Sequence, residues 1–186
     1  MPEARPPIEL QGISLAELQK LIDQRRLPPV ERWNPEHCGH SGMRIGRDGT
    51  WYHECAPIRR PAMVRLFSTV LRREDDGRHV LVTPVEKLEI DVETTAFRAI
   101  DMRVEGTGRD QRIGFALDSG DAVILGPDHP IRLVETDVGL SPRVLVRHGL
   151  EAELTRAVYY ELAELALANS PPGVWSDGRF LPLDAA

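Results

Sequence analysis

Two arginines directly precede a proline near the end of the first third of the sequence, at Arg59-Arg60-Pro61. Pro61 suits the first position of a helix, because its missing N–H would have no intrahelical partner there. Cations at that end of a helix oppose its dipole, at a cost on the order of a few tenths of a kcal/mol each. An anionic neighbour would relieve the conflict. It could be an internal carboxylate, such as Glu54 or Glu86, or a phosphate from outside the chain.

Other cations could join this pair if the fold brings them close. Arg44 lies on a neighbouring predicted strand, and Lys87 follows a strand that Pro84 interrupts, which indicates an edge or a bulge. Two further arginines lie around the start of a long predicted helix, although solvated surface charge is the alternative reading. The candidate ligand-binding residues are Arg44, Arg59, Arg60, Lys87, Arg147 and Arg156.

A second group has side chains that can ligate a metal, and it comprises His37, Cys38, His40, His53 and Cys55. If Asp48-Gly49 forms a two-residue turn, positions 44 and 53 face each other and His53 shares a face with Cys55. Zinc accepts such ligands, but the spacing is irregular and no Cys-x-x-Cys pair is present. We therefore predict no metal site, and nothing in the sequence indicates a cofactor.

The standard catalytic and nucleotide-binding motifs are missing from the sequence. It contains no Gly-x-Ser-x-Gly elbow, no Walker-type Gly-Lys-Ser/Thr loop, no His-Glu-x-x-His and no Gly-x-Gly-x-x-Gly. This weakens the enzyme interpretation without removing it, and we assign no catalytic residue.

The composition is that of an ordinary globular chain of 186 residues, with 41% hydrophobic and 28% charged residues. A formal net charge of −6 disfavours general binding to nucleic acid or to an anionic membrane. No apolar stretch has the length of a secretion signal or a membrane span, and two cysteines suit a reducing compartment. We expect a cytoplasmic protein.

The first half contains two predicted helices and several strands. Ser14 and Glu17 form a capping box, and the helix after them should pack on a sheet and end near Leu27, before Pro28-Pro29. A second helix begins at Pro61 and carries its apolar residues on one side. These are Met63, Leu66, Phe67, Val70 and Leu71.

The second half reads as an antiparallel meander followed by a helix and a hairpin. Predicted strands cover 97–105, 112–117 and 122–125, with 131–134 and 144–146 as further candidates. The strongest helical periodicity spans 150–167. An Asp177-Gly178 turn in the tail echoes Asp48-Gly49, so we consider an internal repeat, with chance likeness as the equal alternative.

These elements predict an α+β protein. We divide the chain into an N-terminal extension with one capped helix at 1–32, an α+β domain at 33–95, and a domain at 96–186 with a β-meander, a long helix and a terminal hairpin.

Several short motifs resemble a bacterial family known as domain of unknown function 1285. The most specific is Leu81-Val82-Thr83-Pro84-Val85-Glu86-Lys87. Others in the same order are Asn34-Pro35, Cys38-Gly39, Met43-Arg44-Ile45, Asp48-Gly49, Trp51, Pro57-Ile58, Leu66-Phe67-Ser68, Val70-Leu71-Arg72, Gly149-Leu150-Glu151-Ala152 and Val174-Trp175-Ser176. His40 and Cys55 depart from the family pattern, which further weakens the metal hypothesis.

The resemblance implies a duplicated core of two related halves, each an antiparallel sheet with a helix. The C-terminal half would be superficially similar to pleckstrin-homology folds. It also implies a nucleotide-like ligand between the halves and a part in signal transduction, with no established catalytic residues.

Our leading hypothesis is a cytosolic module that binds a small anionic, nucleotide-based ligand between its two domains. One alternative is a protein-interaction domain that uses the meander edge or the first helix. Another is a hydrolase or transferase acting on a phosphorylated small molecule, which would need a carboxylate close to a metal or a base.

Overall fold

The computed structural model describes residues 6–183 and shows an α+β protein. The helices are α1 (Leu15–Gln24), α2 (Pro61–Thr69) and α3 (Arg156–Leu167), with 3-10 turns at Val30–Arg32 and Gly108–Asp110. The strands are β1 (His37–Ile45), β2 (Trp51–His53), β3 (Ala56–Pro57), β4 (Leu71–Arg73), β5 (His79–Val82), β6 (Glu86–Val92), β7 (Phe97–Glu105), β8 (Arg112–Leu117), β9 (Ala122–Ile124), β10 (Ile131–Thr136), β11 (Gly139–Arg147), β12 (Leu150–Leu154), β13 (Gly173–Ser176) and β14 (Arg179–Pro182).

The first sheet has six strands in the order β3-β2-β1-β6-β5-β4. It consists of two three-stranded antiparallel meanders, joined at the centre by the parallel pair β1 and β6. Buried apolar side chains on one face include Met43, Ile45, Trp51, Leu71, Leu81 and Ile90, whereas Val80 and Val82 are buried on the other face.

The second sheet repeats this arrangement with the order β10-β11-β12-β7-β8-β9. Its meanders β7-β8-β9 and β10-β11-β12 again meet in a parallel central pair, β7 with β12. If β7 is counted as the first strand of the second sheet and that sheet is read from its β9 edge, both sheets have the strand order 3-2-1-6-5-4. The duplicated core is therefore confirmed, with one parallel pair in each otherwise antiparallel sheet.

The helices do not occupy matching places in the two copies. Helix α2 connects the two meanders of the first sheet, whereas α3 follows the last strand of the second. The tail hairpin around Asp177-Gly178 is a separate two-stranded sheet of β13 and β14. The Asp-Gly echo noted in the sequence is therefore not the repeat, which lies in the strand order instead.

Two Asp-Gly pairs form different turns. Asp177 and Gly178 both have positive φ and close a two-residue turn between Ser176 and Arg179. In the first hairpin only Gly49 has positive φ, and five residues separate the paired Ile45 and Trp51. The two-residue turn predicted there is wrong, so Arg44 lies opposite Tyr52 rather than position 53.

The described residues before α1 pack against the second sheet. Ile8 and Leu10 are buried, and the Ile8 amide donates to the Gly120 carbonyl at 2.8 Å. They join Leu15 and Leu18 of α1 in a core against β8 and β9. The capping box is confirmed, since the Ser14 amide donates to Glu17 at 2.8 Å, although α1 ends at Gln24 rather than near Leu27.

The predicted helix over 150–167 is wrong in its first five residues. Leu150, Ala152 and Leu154 are buried while Glu151 and Glu153 alternate with them, which is a strand pattern. Thr155 then caps α3 by accepting from the Val158 amide. The candidate strands 131–134 and 144–146 are both longer than predicted, because β10 and β11 continue to a turn at Asp137-Val138.

The chain separates into two compact units. The first unit contains residues 26–96 with His148–Leu150, and the second contains Pro7–Arg25, Phe97–Arg147 and residues 151–183. The predicted division into an extension (1–32) and two domains (33–95 and 96–186) includes residues 1–5 and 184–186, which lie outside the described residues. Across residues 6–183 we find no helix with the length and apolar character that crossing a membrane requires.

Candidate ligand pocket in the first unit

Strand β4 is one of the two edge strands of the first sheet. It positions the consecutive polar side chains of Arg72, Arg73 and Glu74, the last of which directly follows the strand. It pairs with β5 through Leu71 opposite Leu81 and Arg73 opposite His79. A tight turn follows, in which Gly77 has positive φ and donates to the Glu74 carbonyl at 2.9 Å. The buried Leu71 anchors the strand, so the side chains that follow it are held close to the 3-10 turn at Val30–Arg32.

Arg72 connects this edge to the segment before β1. Its Nη1 donates to the carbonyls of Val30 and Trp33, both at 2.7 Å. Its Nε and Nη2 donate to Glu74 at 2.9 and 2.5 Å. Four hydrogen bonds on one half-buried guanidinium indicate a structural role, because few of its donors remain for a ligand.

Lys87 completes this network. Its ammonium lies 3.9 Å from Glu74, whose carboxylate is already bonded to Arg72. The negative charge of Glu74 is therefore balanced within the protein, and it would not repel an anion nearby as an isolated carboxylate would.

A pocket of about 480 Å³ opens beside these residues. Its lining contains the half-buried indole of Trp33 and the exposed side chains of Arg73 and His148, with two exposed acids among the rest. The lining residues are Val30, Glu31, Trp33, Asn34, Leu71, Arg72, Arg73, Glu74, Asp75 and His148.

Arg73 is the cation of this pocket with donors to spare. Within the described residues its guanidinium makes a single hydrogen bond, from Nη1 to the Gly149 carbonyl at 3.2 Å. His79, opposite it in the sheet, adds no competing positive charge, because burial and then the charge of Arg73 lower the pKa of His79 to about 4. The pocket thus combines the guanidinium of Arg73, the imidazole of His148 and the aromatic ring of Trp33.

The six residues predicted as a ligand site do not line this pocket. In the first unit Arg44 is bonded to Glu93 at 2.5 Å and stacks 4.2 Å above the Tyr52 ring. Lys87 touches the pocket only through Glu74. Arg59 and Arg60 are exposed, and neither the Glu54 nor the Glu86 side chain is found paired with them among the described residues.

The two predicted arginines of the second unit have contrasting surroundings. Arg147 lies 5.0 Å from the centre of the Phe97 ring, and burial lowers its pKa despite the opposing effect of Asp121. Arg156 is exposed at the first position of α3. One of the two arginines is thus largely buried against an aromatic ring, and the other is in solvent.

The side chains that we considered as possible metal ligands are also separated. Glu54 and Cys55 form the turn between β2 and β3, so Cys55 does not share a strand face with His53. His40 lies 3.5 Å from Asp91 instead. Over residues 6–183, no three His, Cys, Asp or Glu side chains gather in a metal-binding arrangement.

The candidate ligand-binding residues from the sequence did not include Trp33, Arg73 or His148. Arg73 stands in a Leu-Arg-Arg-Glu-Asp-Asp run that we interpreted only as the end of a helix, although α2 ends at Thr69. A lone tryptophan beside prolines, before the first strand, was the available signal for Trp33. Nothing local distinguishes His148, which depends on a turn with positive φ at His148 and Gly149.

The fold and the pocket define a two-unit α+β protein with a duplicated mixed sheet and a small polar cavity in its first unit. Two family models match the chain: "Domain of unknown function (DUF1285), N-terminal domain" at residues 28–95 and "Protein of unknown function (DUF1285), C-terminal domain" at residues 96–183. The chain belongs to the DUF1285 family, which confirms the resemblance in its sequence.

Two solved structures are similar to the chain. A DUF1285 family protein from Silicibacter pomeroyi DSS-3 shares 42% identity with a TM-score of 0.79, over 92% of this chain and 94% of that one. A DUF1285 family protein from Shewanella baltica OS155 shares 23% identity with a TM-score of 0.52, over 66% and 90% of the two chains, and shows likeness of fold alone. No curated protein matches the chain.

Proposed function

We propose that the protein is a non-enzymatic binding module for a small anionic ligand of nucleotide type, held in the pocket of the first unit. The observation that carries this proposal is the exposed Arg73 guanidinium on a pocket that Trp33 and His148 also line. The family models and structural relatives describe no ligand, so the proposal rests on the chemistry of this pocket.

The size and lining of the pocket favour a small molecule. About 480 Å³ lies within the range of roughly 300–1,000 Å³ that ligand pockets occupy. A phosphate would accept from the Arg73 fork and from His148, and a flat base would stack on the Trp33 indole. Glu31 and Asp75 would accept from hydroxyl or amino groups of the same ligand.

These two acids also bear on selectivity. Near Arg73 they oppose a ligand with many negative charges and few donors, such as inorganic pyrophosphate. A nucleoside monophosphate has one anionic group and several donors, so it matches the lining better. Glu74 does not change this balance, since Arg72 and Lys87 already neutralise it.

The six arginine and lysine candidates take a smaller part in this proposal. Arg44, Lys87 and Arg147 are held by protein groups, so we assign each a structural role in its own unit rather than direct contact with the ligand. Arg59, Arg60 and Arg156 stay exposed and could attract anions at longer range. A part in signal transduction would follow if ligand occupancy changed the stability of β4 and its turn.

A thermal-shift titration tests the proposal. Nucleoside mono- and diphosphates and inorganic phosphate are added to the wild type, to Arg73→Gln and to Arg179→Gln, an exposed arginine in the second unit. At a concentration near 100 Kd a ligand stabilises by about 2.7 kcal/mol, which raises Tm by several degrees.

We expect that increase for a nucleotide with the wild type and with Arg179→Gln, and its loss with Arg73→Gln. An unchanged Tm across the panel, or an equal increase with Arg73→Gln, would overturn the proposal.

A further inference from the structure

Helix α2 turns only part of its apolar surface inward, where Phe67 stacks on the buried Trp51 with ring centres 6.3 Å apart. Its fully buried residue is Ser68, whereas Met63 and Leu66 are each 39% exposed. These two are three positions apart, so they lie on one face, with Ala62 exposed beside them. A surface helix of a monomeric protein turns its apolar stripe inward, as α1 does with Leu15 and Leu18.

The charge around this helix is as unusual as its apolar face. Residues 55–73 contain five arginines and no aspartate or glutamate, in a chain whose formal net charge is −6. Arg59 and Arg60 are exposed immediately before α2, at the end where its dipole already disfavours cations. No ion pair of either side chain is found in residues 6–183.

We propose that the exposed face of α2, formed by Arg59, Arg60, Ala62, Met63 and Leu66, is a docking surface for an acidic protein segment with apolar side chains. Carboxylates of the partner would pair with Arg59 and Arg60 and offset the dipole conflict. Its apolar residues would bury Met63 and Leu66, in the manner of a short amphipathic helix laid along another helix.

Two other occupants fit this face less well. An anionic membrane would gain only two large apolar side chains from a helix of nine residues, and the net charge of −6 opposes the approach. A second copy of the chain docked through the same face would bring Arg59 and Arg60 against their own equivalents. The charge pattern therefore favours a different, acidic partner.

Selection from a phage-displayed library of helical dodecapeptides on the full-length protein tests this surface. Binding of the enriched peptides is measured by fluorescence anisotropy to the wild type and to two variants, Arg59→Glu/Arg60→Glu and Met63→Ser/Leu66→Ser. Matched controls are Arg179→Glu for charge and Val138→Ser/Leu167→Ser for exposed apolar residues of the second unit. Unfolding curves confirm that every variant is folded.

We expect enriched peptides that combine Asp or Glu with apolar residues at spacings of three and four. Their Kd should rise at least tenfold with either α2 variant and change less than twofold with the controls. A selection without acidic enrichment, or affinity unaffected by the α2 variants, would overturn the proposal. So would α2-dependent binding to phosphatidylserine vesicles, or dimers that the α2 variants dissociate, without peptide binding. Because Arg73 is unchanged in all of these variants, the nucleotide response of Tm reports on the pocket separately.

Discussion

Cys55 occupies a backbone conformation that suits glycine. It is the second residue of the turn between β2 and β3, with φ of 71°, and Glu54 before it has φ of 46°. The left-handed region costs an ordinary residue about 1–2 kcal/mol. We expect Cys55→Gly to raise the free energy of unfolding by about 1 kcal/mol, measured from urea unfolding curves.

The other cysteine provides a matched control. Cys38 is exposed in β1 and has no positive φ, so Cys38→Gly should lower the free energy of unfolding by about 0.5–1 kcal/mol. If both glycine substitutions changed the free energy of unfolding in the same direction, that result would contradict the strain assigned to Cys55.

Asp118 follows β8 and makes stability depend on pH. Burial raises the pKa of Asp118 to about 6, although its carboxylate accepts from the Arg98 amide at 3.0 Å. The folded state thus binds this proton more tightly than the unfolded state, so this group's contribution to stability falls as pH rises from about 4 to 6.

Asp118→Asn keeps an acceptor for Arg98 and removes this titration. The free energy of unfolding of Asp118→Asn, minus that of wild type, should therefore be about 1 kcal/mol higher at pH 7.5 than at pH 5, measured by urea unfolding at both pH values. A difference that is the same at both pH values would show that Asp118 is ionised in the folded protein throughout this range.

Local sequence identified the exposed arginines before α2 but not the long-range partner of Arg44. The dipole argument drew attention to Arg59 and Arg60, and both are exposed at the start of α2. It could not reveal that Arg44 is held by Glu93, because these residues are 49 positions apart. Pairings over such separations depend on strand register, which local composition does not specify.

Helix α1 packs against β8 and β9 of the second sheet. Leu18 is fully buried and packs over Gly114 of β8, where an added Cβ would lie 3.1 Å from its Cδ2. We expect Leu18→Ala to cost about 2–5 kcal/mol in the free energy of unfolding, as buried leucines do. Leu21→Ala on the same helix, at a side chain 41% exposed, should cost under about 1 kcal/mol. Comparable losses in thermal unfolding would contradict the packing of α1 described above.

Elements with a single periodicity were predictable, and ambiguous ones were not. Strands 97–105 and 112–117 were predicted with the observed bounds. Leu150 and Leu154 satisfy both a helical spacing of four and a strand spacing of two, so tertiary pairing with β7 decided the outcome. In β7, a register shift between Ala99 and Asp101 leaves Ile100 53% exposed, which a strict alternation cannot anticipate.

At the scale of the molecule, the first helix belongs to the unit farthest from it in sequence. Pro7–Arg25 clusters with the second unit, and Arg25 bonds to Asp121 at 2.5 Å. A shortened chain beginning at residue 27 should therefore lose protection in β8 and β9 while β4–β6 keep theirs, in hydrogen-exchange mass spectrometry. Unchanged exchange in β8 and β9 would contradict this assignment.

The duplication itself was only partly visible in the sequence. The two sheets share a strand order, but their helices occur at different points of the repeat. Topology is set by which strands pair, so two unlike sequences can encode it. The residue pattern alone left an internal repeat and chance likeness as equal alternatives, and the family resemblance favoured the repeat.

Ligand binding in the pocket beside β4 can be tested directly, because the chain contains three tryptophans in different places. Trp33 lines that pocket, Trp51 is buried in the first unit, and Trp175 lies in the terminal hairpin. In ¹H–¹⁵N spectra, titration with nucleoside monophosphates should move the Trp33 indole signal in a saturable way, leave that of Trp175 unchanged, and have no such effect on Arg73→Gln. A Trp33 signal that does not move at millimolar nucleotide, or one that moves equally in Arg73→Gln, would contradict the account.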